Sequence, residues 1–302
     1  MCGRKFVCKG VSNAVIDEKR ERIVVLARQF GTGSLPHKLC SLYVYDFNAV
    51  HLFSINLPVR RRGCHFLAVD AEQSIVYLGC NQVLAVSVEE RRLLRKMGPP
   101  DNVVYLWNQE MLHWLPHGLC VHAKTQDLYV CDVAHNCVHV FDKTGAFVSL
   151  ICHHSDIRRT LLAPMYVAVD YQTNRICVAS RFGTIGVYNH EGILERKYFD
   201  LPCLPTTSIR GMVVHPVTGN ILVLDKDNGQ LVILRLDGSH VRTLEFMKSR
   251  DKRFREGSLG CRPAASCNNR WGNASSLAIH AYSGHIVTTN PEHDCVCVST
   301  FT

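Results

Sequence analysis

Three histidines, His122, His215 and His280, occupy one place in a recurring pattern. Imidazoles from three separate strands could converge on a metal ion. The pattern argues otherwise, because Asp17, Asp70 and Asp170 fill that place in the other copies. A strand-end position that takes either Asp or His suits a side chain accepting hydrogen bonds from its own turn. His153-His154 and the His113/His117 pair lack a spaced third ligand. There is no Gly-rich phosphate loop, no Gly-x-Ser-x-Gly nucleophile elbow and no C-x-x-C pair. The expectation is no catalytic residue, no metal, no cofactor, no small-molecule substrate and no enzymatic activity.

A second set of residues is cationic and aromatic. It comprises Arg60-Arg61-Arg62, the run Lys248, Arg250, Lys252 and Arg253, and Tyr166, Arg181, Phe182, Arg210, Arg270 and Trp271. Cations for phosphates and π-faces for bases are what single-stranded nucleic acid needs. The net charge of +8 points the same way, toward an acidic partner.

The elements that must position these groups are repeats. An apolar strand ending in Val or Ile, followed by Asp or His, appears six times, closing on Asp17, Asp70, His122, Asp170, His215 and His280. A second strand opens five or six residues later, at Ile23, Ile75, Leu128, Ile176, Ile221 and Ile286. A third follows each time, as in Val138–Phe141, and a fourth closes most units, as in Phe147–Leu150. Four short strands per unit make a blade, so the expected fold is all-β, a six-bladed β-propeller forming one domain over residues 1–302. The blades are expected at 11–58, 64–98, 116–151, 163–199, 209–244 and 275–302. The last unit lacks its fourth strand, and the strand-like Lys5-Phe6-Val7-Cys8 precedes the first. Residues 4–9 are expected to complete blade 6 and remove an open edge.

Strand alternation sorts the loops. The a–b and c–d connections share one end of the ring, and the b–c and d–a connections share the other. The long connections are Gln29–Ser41, between b and c, and the d–a segments 99–115, 152–163, 200–208 and 245–274. All fall at one end, which marks it as the binding face. The d–a segments 59–63, 99–115, 152–163, 200–208 and 245–274 carry net charges of +3, −2, +1, −1 and +4, so most of the excess charge follows the loops. On that face Lys248, Arg250, Lys252 and Arg253 are assigned phosphate contacts. Arg62, Arg181 and Arg210, beside Tyr166 and Phe182, are assigned base reading and stacking near the channel mouth. Asp225, Asp227, Glu292 and Asp294, also in b–c loops, favour a protein partner instead.

The third unit carries a family resemblance. It reads His117-Gly118-Leu119-Cys120-Val121-His122, Asp127 to Asp132, Asn136 to Asp142, then Gly145-Ala146-Phe147. It resembles an NHL repeat almost step for step, and the fifth unit is similar through Gly219 to Asp225. The match departs at Cys137, where many NHL repeats carry Arg, and the first two units lack the Gly-Asn hairpin. The chain is similar to the C-terminal propeller of TRIM-NHL proteins. That resemblance implies RNA binding, single-stranded or stem-loop, on a positive top face and hence post-transcriptional regulation. It implies alternatively a protein-binding, substrate-recognising role in ubiquitination. The sequence has no RING, B-box or coiled-coil pattern, so ligase chemistry is not expected of it. A metal-dependent hydrolase or lyase propeller is the third reading and rests on fold alone. No apolar signal segment or membrane-length run is present, and 15 irregularly spaced Cys read as reduced thiols. The expectation is a cytoplasmic protein with no membrane partner.

Overall fold

The computed structural model describes residues 4–28, 39–60, 65–100, 103, 113–152, 161–170, 172–199, 201–204, 209–225, 228–245, 276–280, 283–291 and 294–300. At 4, 5, 28, 39, 58, 60, 245 and 300 only the backbone is described. These residues form 24 strands in six antiparallel four-stranded sheets. After β1 (Arg4–Val7), blade 1 holds β2 (Val11–Asp17), β3 (Arg22–Arg28), β4 (Leu39–Asp46) and β5 (His51–Arg60). Blade 2 holds β6 (Phe66–Asp70), β7 (Ile75–Gly79), β8 (Val83–Ser87) and β9 (Arg92–Met97). Blade 3 holds β10 (Pro116–Val121), β11 (Leu128–Asp132), β12 (Cys137–Phe141) and β13 (Phe147–Ile151). Blade 4 holds β14 (Pro164–Asp170), β15 (Arg175–Ser180), β16 (Ile185–Tyr188) and β17 (Leu194–Tyr198). Blade 5 holds β18 (Ile209–Val214), β19 (Ile221–Asp225), β20 (Gln230–Leu234) and β21 (His240–Glu245). Blade 6 holds β22 (Ser276–Ile279), β23 (His285–Asn290) and β24 (Cys295–Thr300), and β1 is its outer strand.

The protein is a six-bladed β-propeller. Innermost strands β2, β6, β10, β14, β18 and β22 each touch the next around a central channel, and β2 touches β22 to close the ring. Middle strands such as β7, β8, β11 and β12 are buried along their whole length, because each blade is sandwiched between two others. This explains why their sequences read as unbroken apolar runs rather than alternating ones. The outer strands are half solvated, as in β13, where Val148 is exposed. Six apolar clusters fill the ring among the described residues, one in each seam between adjacent blades.

The N-terminal strand closes the ring as its sequence suggests. Residues Arg4 to Val7 pair with Val298 back to Cys295 in antiparallel register. The Cys8 amide donates to the Asp294 carbonyl at 2.7 Å, and the Gly10 amide to Asp294 Oδ1 at 2.7 Å. Phe6 is buried against Tyr45 of blade 1, with ring centroids 4.6 Å apart, so the strand also joins the seam between blades 6 and 1.

Most of the described cysteines, Cys131, Cys137 and Cys177 among them, are buried, where they act as small apolar residues. Cys80 is disulfide-bonded, which corrects the expectation of a wholly reduced chain. No helix among the described residues is long and apolar enough to cross a membrane.

Candidate functional site

At the a–b end, the recurring Asp/His position is turned back on its own hairpin. Asp70 Oδ1 accepts the Glu72 and Gln73 amides at 2.9 and 3.1 Å, and Asp170 Oδ1 accepts Gln172 at 3.0 Å. His122 Nδ1 accepts the Lys124 and Thr125 amides at 3.1 and 3.2 Å. His215 Nδ1 accepts Val217 and Thr218, both at 3.2 Å, and His280 Nδ1 accepts Ser283 at 3.1 Å. Asp17 departs from the pattern, with its Oδ2 accepting from Arg22 Nη2 at 2.9 Å. An imidazole that accepts at Nδ1 is neutral there, and its lone pair is used by the turn. The three histidines therefore do the work of the aspartates.

At the opposite end, strand a of each blade begins at the channel mouth. The channel encloses about 230 Å³ and is lined by the six innermost strands. Phe66 of β6, His117 of β10 and Tyr166 of β14 form a ring cluster at its rim. The Phe66 and His117 centroids lie 3.7 Å apart, and Tyr166 meets both edge-on at 6.3 and 6.0 Å. Gly118 allows this crowding. A Cβ there would stand 2.5 Å from the Met165 carbonyl oxygen and 2.8 Å from Tyr166 Cα, both backbone atoms that cannot swing aside.

Arg210 lines the same mouth and is exposed, and Arg181 stands nearby on the b–c turn of blade 4. That turn is set by Ser180, whose Oγ accepts the Phe182 and Thr184 amides at 3.1 and 3.2 Å, and by Gly183 at φ +77°. It leaves Phe182 61% exposed. Neither Arg181 nor Arg210 has a carboxylate partner among the described residues.

Electrostatics at the mouth follow from this. Burial, then the neighbouring His65 and the cations Arg210 and Arg181, push the His117 pKa down to about 4, against a backbone hydrogen bond to Met165 that raises it. His117 Nδ1 lies 3.0 Å from the Met165 carbonyl, which can only accept, so the neutral ring carries its proton on Nδ1. Burial raises the Tyr166 phenol to about 12, so it stays a neutral donor. The mouth is a neutral π-lined rim flanked by two guanidinium groups.

Of the residues singled out by sequence, Tyr166, Arg181 and Arg210 are brought together here. Phe182 shares the turn of Arg181 but makes no ring contact with the cluster among the described residues. Arg60 is described by backbone alone, at the end of β5. Arg61, Arg62, Lys248, Arg250, Lys252, Arg253, Arg270 and Trp271 lie outside the described residues, as do Asp227 and Glu292. Sequence reasoning missed Phe66 and His117. Their shared place at the start of strand a, with Gly118 next to His117, was the available signal.

Two acidic residues read as partner contacts are structural instead. Asp225 is fully buried and accepts the Asn228 amide at 3.3 Å, and Asp294 holds Gly10. Asp132 occupies the same strand-b end in blade 3. Its Oδ1 accepts the Leu115, Ala134 and His135 amides, and its Oδ2 lies 2.5 Å from His135 Nδ1 and 3.1 Å from His139 Nε2. Burial works to raise the Asp132 pKa, yet His139 and then His135 hold it below the usual carboxylate value.

Residues 114–141 match the family model of the NHL repeat. The matched stretch is blade 3 from Trp114 to the end of β12, the unit whose sequence resembles that repeat most. By structure, the chain is similar to the β-propeller domain of Cps50 (Swd1) from Myceliophteria thermophila. That likeness has a TM-score of 0.62 at 10% identity and covers 100% of both chains. At such identity it speaks for the fold alone. No curated protein matches the sequence. The NHL match and the closed ring together describe an interaction module of the kind that binds protein or RNA.

Proposed function

We propose that this propeller is a non-catalytic, cytoplasmic RNA-binding module that takes a single strand or loop across its top face. One observation carries the reading: two guanidinium groups with no carboxylate partner among the described residues, Arg181 and Arg210, flank an aromatic rim at the channel mouth. An arginine paired with a carboxylate would be structural, whereas these two, unpaired among the described residues, suit phosphates or base edges. Phe182, exposed beside Arg181, supplies a further stacking face. The basic 245–274 connection leaves from the same end of the ring and adds net charge of +4. In the cell such a module would act in post-transcriptional regulation.

A second reading is favoured by a specific feature. Leu115, Leu162, Phe182 and Phe199 are exposed at the top ends of their blades, as in a protein-docking surface, such as one that recognises substrates for a ubiquitin ligase. The test is titration of the full chain with a pool of short single-stranded RNAs at several salt concentrations. Selective binding that survives physiological salt, weakened by Arg210→Ala and by about 1–3 kcal/mol in Phe182→Ala, is the expected result. Weak, sequence-blind binding that vanishes at physiological salt would transfer the face to a protein partner.

A further inference from the structure

Blade 3 holds a second cluster, separate from the channel mouth. Asp132, Cys137 and His139 are fully buried, and one ligand atom from each lies within 4.8 Å of the others. The b–c hairpin brings them together: Asp132 ends β11 and pairs directly with Cys137, the first residue of β12. Cys137 and His139 are two residues apart on β12, so they share one face of the sheet. His135, on the turn between the strands, is 2% exposed and reaches the same Asp132 oxygen.

We propose that Asp132, Cys137 and His139 form the preset core of a structural zinc site that pins the top of blade 3, with His135 as the fourth ligand on metal binding. A divalent ion with one carboxylate, one thiolate and two neutral imidazoles is formally neutral, which suits a site sealed from water. Zinc takes Cys sulfur, His nitrogen and Asp oxygen as ligands, and its structural sites are closed, four-coordinate and tetrahedral. The 3.1 Å between Asp132 Oδ2 and His139 Nε2 is close to the roughly 3.3 Å edge of a tetrahedron with ligands about 2.0 Å from the ion. His135, whose Nδ1 is 2.5 Å from that oxygen, stands outside the three-residue group and would move toward Cys137 and His139 to complete the shell.

The surroundings of the cluster fit the role. The other Asp132 oxygen accepts three backbone amides, from Leu115, Ala134 and His135, which fixes the carboxylate in the way outer-shell partners orient a ligand. Asn136 Oδ1, inside the same turn, accepts the Ala163 amide at 2.7 Å and so ties blade 3 to the entry of blade 4. Leu115 is two residues from His117 of the mouth. The ion would hold the b–c turn and the entry of β10 as one rigid piece beside the binding face. It stands apart from His122, His215 and His280, which serve the hairpins at the other end, and it departs from the sequence-based expectation of no metal.

The test uses the full chain, purified without a histidine tag and loaded with Zn²⁺ alone or Co²⁺ alone. Expected are one equivalent of zinc retained through dialysis, a rise in Tm on zinc addition to chelator-treated protein, and a cobalt spectrum with tetrahedral d–d bands plus a thiolate charge-transfer band. Cys137→Ser should remove the charge-transfer band, and His139→Gln should lose at least tenfold in affinity. The conservative Cys137→Ser variant keeps a folded comparison if His139→Gln fails to fold. Folded wild-type protein whose Tm ignores zinc would overturn the site and leave a plain hydrogen-bonded Asp–His cluster. One equivalent of cobalt with an unchanged spectrum in Cys137→Ser would overturn it equally.

Discussion

At the a–b end of the ring, the last side chain of strand a is spent on its own turn. Asp70, His122, Asp170, His215 and His280 each accept amides from the hairpin that follows. At the d–a end, where the same strands begin, Arg181 and Arg210 meet no carboxylate among the described residues and Phe182 is exposed. One end satisfies its polar groups within short uniform turns, and the other, among the described residues, leaves cations and a ring without such partners. Identical backbone topology therefore separates stability from the proposed recognition, because the a–b turns are too short to carry anything but themselves.

Ring closure underlies both ends, so its loss should have the largest effect. Deleting residues 1–9 removes β1 and the buried Phe6 and exposes the edge of β24. The expected cost exceeds about 3 kcal/mol, the low end for losing one buried aromatic alone. Thermal or denaturant unfolding measures it, and an unchanged midpoint would mean that closure by β1 contributes nothing.

The mouth should also reveal itself through acid. The folded pKa of His117, about 4, lies below its ordinary 6.5, so the folded state favours the neutral ring. That preference contributes fully above pH 6.5 and is lost as pH falls from 6.5 toward 4. Over that window the loss amounts to at most about 3 kcal/mol. Stability measured against pH should fall less steeply in His117→Gln than in wild type. Parallel curves would remove His117 from the account.

Bottom-end caps should cost less and touch only stability. Asp170→Ala leaves the Gln172 amide and the Thr173 hydroxyl without their acceptor, for roughly 1 kcal/mol. RNA affinity and zinc content should both stay at wild-type values. A tenfold loss of RNA binding in this variant would break the division between the two ends.

The fold was legible because it is written six times. The Val/Ile-then-Asp/His step marks each strand a, and the orphan Lys5-Phe6-Val7 announces the closing edge. The hairpin role of His122 was legible because Asp stands in for it in other copies. Phe66 and His117 were not, because they lie at the opposite end of strand a, where the repeats differ from one another and carry no shared pattern. Asp225 misled for a physical reason. A carboxylate beside a loop reads as exposed until the strand end that buries it is seen. The Asp132 cluster was hidden in the same way, since it depends on pairing β11 with β12 in register.

The smallest expected effect is also the sharpest on the top face. Lys252 lies in the basic connection between β21 and β22, outside the described residues, and its sequence neighbours Lys248, Arg250 and Arg253 suggest charge without apolar company. A phosphate contact releases a condensed counterion from the strand and carries no base information. Lys252→Ala should therefore weaken all RNAs alike and flatten the log–log salt dependence by roughly 0.7. Phe182→Ala, which removes a ring rather than a charge, should lose affinity at an almost unchanged slope. Titration of both variants across a salt series separates the two. Equal slopes for Lys252→Ala and wild type would take that connection out of the interface and leave recognition to the channel mouth.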